Sequence, residues 1–382
     1  MGLLCGRDLV FGFLLFCVLS SVSVGLAAPC AFPAIYNFGD SNSDTGGISA
    51  AFVPISAPYG EHFFHKPAGR DSDGRLTVDF IAERLKLPYL SAYLNSIGAN
   101  YRHGANFATG GSTIRRQNET IFQYGISPFA LDMQIVQFDQ FKARTADLYN
   151  QVKGTPEADK LPRPEEFSKA LYTFDIGQND LSVGFRLGPD QLKAALPDIV
   201  NQLAAAVKHL YEQGGRSFWI HNTGPFGCLP VNLFYVSNPP PQGYLDELGC
   251  VKAQNEMSIE FNRQLKDRVT KLREELKEAA VVYVDVHAAK NGLIANAKRL
   301  GFADPLKVCC GYHVKYDHIW CGNKGQVNGS EIYGGSCKDP SVYASWDGVH
   351  YTEAASKWVA DQTQNGSLTD PPTPITQACH RL

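Results

Sequence analysis

Phe38-Gly39-Asp40-Ser41-Asn42-Ser43-Asp44-Thr45-Gly46-Gly47 follows the apolar segment Ala34-Ile35-Tyr36-Asn37. A short strand running into a glycine-bounded turn delivers a serine hydroxyl at the strand's carboxyl end, where an open α/β sheet keeps its chemistry. Further strands are expected at Ala170–Ile176, Arg216–His221 and Ala280–Val286, alongside the first at Ala34–Phe38; each is short and rich in aromatic or β-branched residues. Helix-length amphipathic stretches lie between them, notably 190–213 and 251–279. In the second, Met257, Phe261, Leu265, Val269 and Leu272 recur at steps of three and four, which places them on one buried face. Strand alternating with helix predicts an α/β fold with a parallel, doubly wound sheet.

Length and composition narrow the classes. The chain has 382 residues and a formal charge of -3, without a lysine or arginine run. Nothing in the electrostatics points to nucleic acid or to an anionic membrane surface. Residues 9–28 form an apolar stretch after Arg7 that closes in small residues, the pattern of a cleaved secretory signal (1–28) cut after Ala27 or Ala28. A membrane anchor is the competing reading, and the stretch is about as short as a span can be. The remainder, 29–382, is expected to form one domain with sizeable loop insertions and no stable membrane span. Eight cysteines remain after removal of the signal, an even set that implies bridges in an oxidising compartment. Local closure of Cys228 with Cys250 is expected. Sequons at Asn118, Asn328 and Asn365 fit a secreted glycoprotein. The stretches 229–250 and 304–346 read as long irregular loops.

Acyl transfer needs a nucleophile, a base, a group to orient the base, and donors for the developing oxyanion. Ser41 supplies the first. In Asp347-Gly348-Val349-His350, the imidazole can take the serine proton while Asp347 turns back to hold its tautomer. Backbone N–H groups of Ser41 and of the Gly110-Gly111 pair, Gly110 being preferred by its position in the block, with the amide of Asn179 in Gly177-Gln178-Asn179-Asp180, are the expected oxyanion donors. Each segment alone is commonly a turn; four in this order make a site. Asp40 and Asp180 read as structural acceptors, and His221 and His287 as structural strand-end histidines. Aromatic residues between the blocks, among them Tyr59, Phe63, Phe64, Tyr89, Tyr93, Tyr124 and Phe129, offer faces for an acyl or sugar pocket. Cys309, Cys310, His313, His318, Cys321 and Cys337 have spacings suited to zinc, but oxidation removes the thiolates such a site needs.

These blocks resemble the plant GDSL-type esterase/lipase family of SGNH hydrolases. Phe38-Gly39-Asp40-Ser41 is similar to its first block, Gly104-Ala105-Asn106-Phe107-Ala108-Thr109-Gly110-Gly111 to its second, Gly177-Gln178-Asn179-Asp180 to its third and Asp347-Gly348-Val349-His350 to its last. Gly69-Arg70-Asp71-Ser72-Asp73-Gly74-Arg75 and Cys309-Cys310-Gly311 extend the likeness across the mature chain, and the wider pattern looks most like the early-nodulin-8-like branch. Asn42 stands where the family name has leucine, outside the chemistry. The resemblance implies a three-layer α/β/α sandwich of flavodoxin-like type, with Ser41, Gly110, Asn179 and His350 in the four named roles and Asp347 completing the triad.

The expectation is a secreted serine esterase acting through an acyl-enzyme, with no metal or organic cofactor required. Acetylated cell-wall polysaccharide or small acetylated glycosides form the leading substrate class, in the wall or the Golgi. The same residues would serve an acyltransferase or a lipase, and a noncatalytic wall-binding or defence protein is the alternative of another class. A neutral His350 is needed to accept the proton, so activity is expected to fall as pH drops through roughly 6 to 7. Oligomeric state is not legible.

Overall fold

The computed structural model describes residues 28–117, 125–314 and 317–380. The signal segment through Ala27, the Asn118 sequon and Tyr124 lie outside the described residues. Five parallel strands, β1 (Ile35–Gly39), β2 (Gly104–Asn106), β3 (Leu171–Asp175), β4 (Ser217–His221) and β5 (Ala280–Val284), form a sheet in the order β5-β4-β3-β1-β2. The expected strands are therefore present, shifted by one or two residues at their ends. Their order is flavodoxin-like, with the chain reversing direction across the sheet between β1 and β3, and ligands in such sheets sit at the carboxyl ends of those two strands. Ser41 follows β1, and Asn179 follows β3.

Alternation along the strands divides the core. Tyr36, Phe38, Tyr172, Phe174, Phe218 and Ile220 face one layer, built from helices α3 (Leu131–Val152), α4 (Gln178–Leu187), α5 (Pro189–Glu212) and α6 (Lys252–Glu275). Ile35, Leu171, Trp219, Val282 and Val284 face the other, with α2 (Thr77–Arg84), α7 (Val286–Ala295) and α8 (Glu353–Gln364). A short α1 (Gly47–Ala51) follows the serine turn. Phe261, Leu265, Val269 and Leu272 of α6 are fully buried, as their spacing requires, and Met257 packs against them. This is a three-layer α/β/α sandwich.

The region 304–346, expected to be irregular throughout, holds two hairpins: β6 (Tyr312–Val314) with β7 (Asp317–Ile319), and β8 (Lys324–Val327) with β9 (Ser330–Tyr333). Asn328 (φ 51°) and Gly329 (φ 79°) close the second hairpin in a turn that needs two positive φ values, the setting that Asn-Gly favours. Cys309–Cys337 and Cys310–Cys321 staple this lobe, and Cys228–Cys250 closes locally as expected. Four of the six residues considered for zinc are thus disulfide-bonded. Cys30–Cys379 ties the first described strand's approach to the tail, beside β10 (Thr369–Asp370), which runs antiparallel to β5.

Candidate active site

The serine turn is anchored by a polar network within the sheet. Asn37, in the middle of β1 and 1 % exposed, is in register with Asn106 of β2 and Thr173 of β3. Its amide donates to Asn106 Oδ1 (2.8 Å) and Ser43 Oγ (3.0 Å), and its Oδ1 accepts from Thr173 Oγ1 (2.7 Å). Asn106 also donates to the Thr45 hydroxyl (3.0 Å). Gln134 of α3 clamps Gly39, accepting from its N–H (2.9 Å) and donating to its carbonyl (2.8 Å). No side chain fits at Gly39, because a Cβ there would lie 2.3 Å from Ser43 Oγ and 2.6 Å from the Asp175 carbonyl.

His350 reaches this turn from the far end of the sequence. Its Nε2 lies 2.8 Å from Ser41 Oγ and its Nδ1 2.7 Å from Asp347 Oδ2. The N–H groups of Val349 (2.9 Å) and His350 (2.8 Å) donate to Asp347 Oδ1, so the carboxylate turns back as expected. Gly348, between Asp347 and Val349, has φ 97°, and a Cβ there would lie 3.1 Å from the Phe234 ring. The Tyr59 hydroxyl donates to Asp347 Oδ2 at 2.9 Å. Burial alone would raise the Asp347 carboxyl, but the adjoining imidazole charge and its hydrogen bonds hold it below the usual carboxylate range. Burial alone would likewise lower His350, yet the carboxylates of Asp347, Asp71 and Asp40 outweigh it and bring the imidazole up to about 9. The pH at which the base becomes neutral is therefore higher than the 6 to 7 expected from an unperturbed histidine. With Asp347 ionised, Nδ1–H donates to the carboxylate and Nε2 is the acceptor for the serine proton.

The donors for an oxyanion differ from expectation at one position. The N–H of Gly110 donates to Asp44 Oδ2 (2.8 Å), a carboxylate that also accepts from Ile48 N–H (2.9 Å) and Gly46 N–H (2.7 Å) as it caps α1. The next amide, Gly111 N–H, has no partner among the described residues, and neither does Ser41 N–H. Asn179 donates one amide hydrogen to the Ser112 carbonyl (3.0 Å), which orients the group and leaves the second hydrogen open among the described residues. Asp180 accepts from Ile114 (2.8 Å) and Arg115 (3.0 Å), and Asp40 from Asn42, in the structural roles expected. His221 accepts from Trp219 Nε1 at 3.1 Å and stands 3.2 Å from Asp175. Of the aromatic residues, Tyr59 reaches Asp347; Phe63, Phe64 and Tyr89 form an edge-packed cluster with the Arg70 and Arg75 guanidinium groups. Gln134, and the contacts of Tyr59 with Asp347 and of Asp44 with Gly110, carried no local signal, because the partners are remote in sequence.

A serine polarised by a histidine, itself oriented by a carboxylate, beside unpartnered N–H donors is equipped for acyl transfer. A family model described as GDSL-like lipase/acylhydrolase matches residues 35–363. The chain belongs to that family. A GDSL esterase/lipase of Arabidopsis thaliana is 72% identical over 97% of this chain and 96% of its own. The ENOD8 GDSL esterase/lipase of Medicago truncatula is 47% identical over 92% and 91%, in keeping with the early-nodulin-8-like pattern. A second Arabidopsis thaliana relative, 48% identical over 95% of this chain and 96% of its own, is named alpha-L-fucosidase 3. This GDSL chain is a carboxylic ester hydrolase; relatives near half identity carry names of different activities, so its substrate has to be read from the site.

Proposed function

We propose that the protein is a secreted serine esterase that removes short acyl groups, with O-acetyl groups on cell-wall polysaccharide or small glycosides as its substrate class. The observation that carries this reading is the unbroken line from Ser41 Oγ through His350 to Asp347, at 2.8 and 2.7 Å. Ser41 Oγ attacks the acyl carbon as its proton passes to His350 Nε2. The oxyanion is received by the N–H groups of Ser41 and Gly111 and the open amide hydrogen of Asn179. His350 then returns the proton to the departing alcohol oxygen, the ester C–O bond breaks, and an acyl-Ser41 remains. Water, deprotonated by the same imidazole, bonds to the acyl carbon; the acyl–Oγ bond breaks, His350 returns the proton to Ser41 Oγ, and the acid leaves.

One feature supports a short acyl group, and another a secretory setting. The cavity shared by Ser41 and His350, lined also by Leu76, Val286 and Lys290, is about 20 Å³, room for a group of water or methyl size. Asn328, at the tip of the β8–β9 hairpin, and Asn365, after α8, are both exposed, which suits glycosylation in a secretory chain. The test is acetate release from acetylated xylan by the purified glycoprotein, with Ser41→Ala as control. Release that disappears in the variant supports polysaccharide deacetylation. Absence of release, with a small synthetic ester still cleaved through Ser41, would keep the chemistry and remove the polysaccharide.

A further inference from the structure

In Gly69-Arg70-Asp71-Ser72-Asp73-Gly74-Arg75, every polar side chain but one has a structural partner. Arg70 forms a two-point pair with Asp79 at 2.7 and 3.2 Å. Ser72 donates to the Tyr351 carbonyl (3.0 Å), Asp73 accepts from Glu353 N–H (2.7 Å) at the start of α8, and Arg75 joins Glu353 and Glu83. These contacts dock the segment against the loop and helix that follow His350. Asp71 stands among them half-buried, with no hydrogen bond from any described residue. Its charge is felt by His350, Asp347 and Asp44. A Cβ built on Gly110 would come 3.6 Å from its Oδ2, so the carboxyl lies over the glycine pair that supplies an oxyanion donor.

A carboxyl kept without a partner inside an otherwise satisfied segment is an open hydrogen-bonding position. Building on the reading of Ser41 and His350 as the ester-cleaving pair, we propose that Asp71 determines specificity: it hydrogen-bonds a hydroxyl of the alcohol portion of the ester and disfavours esters whose alcohol carries negative charge. A sugar supplies such hydroxyls next to its ester; an aryl alcohol does not. Burial, with the nearby Asp347 and Asp44 carboxylates, pushes Asp71 up to about 7 although the His350 charge opposes it. The group can therefore donate to a sugar oxygen when protonated and accept from a sugar hydroxyl when ionised. The other titratable groups facing this part of the centre are Asp40 on the serine turn and Tyr59.

The experiment compares the full-length protein with Asp71→Asn on three acetyl esters: acetylated xylooligosaccharide, acetylated oligogalacturonide and 4-nitrophenyl acetate, each over a full pH profile. Asp71→Asn should lower the ratio of kcat/KM for the xylooligosaccharide to that for 4-nitrophenyl acetate by about tenfold, the weight of one hydrogen bond to a charged group, and should raise the relative rate on the anionic oligogalacturonide. An equal change on all three esters would show that Asp71 acts only through His350 and would overturn the assignment while leaving the catalytic pair intact. Hydrolysis of 4-nitrophenyl acetate that survives Ser41→Ala would instead overturn the underlying reading. Thermal unfolding of the variant separates either result from misfolding.

Discussion

The two halves of the proposed catalytic pair are held by different means. Ser41 sits on a turn fixed from beneath by buried amides and hydroxyls of three adjacent strands, Asn37, Asn106 and Thr173, and by Gln134 from a helix. His350 stands on the loop between the disulfide-stapled hairpin lobe and α8. Its carbonyl accepts from Trp346 N–H (2.8 Å); the Trp346 carbonyl in turn accepts from Cys309 (3.1 Å) and Cys310 (2.6 Å), and both cysteines are disulfide-bonded. The Trp346 ring is fully buried among these cystines, with Tyr59 at its edge. A sheet needs no covalent help to position a turn, whereas the loop that carries His350 leans on disulfide-bonded neighbours. Reduction of these bridges is therefore expected to reach the site through the histidine side.

Removing the chemistry while keeping both supports gives the largest effect. Ser41→Ala should lower kcat by on the order of 10⁴ to 10⁶ with little change in urea midpoint, because the hydroxyl's hydrogen bond is to His350 and the turn is built by its neighbours. A large loss of stability would mean that the turn depends on the serine itself. Asn179→Ala comes next, at about 10² to 10³ in kcat with KM nearly unchanged; a change confined to KM would remove it from the oxyanion hole.

Changes in the supports themselves should separate the two halves. Replacing Cys310 and Cys321 by serine opens a bridge across 11 residues and should lower stability by about 3 kcal/mol. It should also reduce kcat some 10- to 100-fold, as expected for a base displaced by about 1 Å, while far-ultraviolet circular dichroism keeps its sheet and helix signal. Mild reductant should reproduce the loss in the parent protein. Asn37→Ala leaves several buried groups short of a partner and should cost about 2 to 4 kcal/mol, with no dependence on reductant. If both variants respond to reductant alike, the division between the halves fails.

That division also explains how far the sequence could be read. Strands, the α6 stripe and the order of the four blocks follow from local pattern, so β1, β3, β4 and β5 and the candidate residues Ser41, Asn179, Asp347 and His350 can be picked out from the sequence alone. The choice between Gly110 and Gly111 is not, because it rests on Asp44, whose side chain closes on an amide 66 residues away. Tyr59 meets Asp347 across 288 residues, a separation without periodic signal. Asn328-Gly329 reads as a sequon, although the same pair marks the β8–β9 hairpin. Asn37 reads as an imperfection in an apolar strand; only the register with Asn106 and Thr173 shows that its polarity is what pins the turn.

The smallest effect tests how finely the histidine side is tuned. His350 must be neutral to take the serine proton, and its pKa is raised to about 9, so kcat/KM should climb as pH rises through that value and decline below it. Tyr59→Phe removes one donor from Asp347, leaving a more basic carboxylate that holds the imidazolium more firmly. The acidic limb should move to higher pH, with a loss of a few-fold at neutral pH. Asp71→Asn removes a negative charge near the same ring and should move the limb the opposite way. Opposed shifts in the two pH profiles would establish that His350 is set by the carboxylates around it; shifts of the same sign would mean that both substitutions merely loosen the loop.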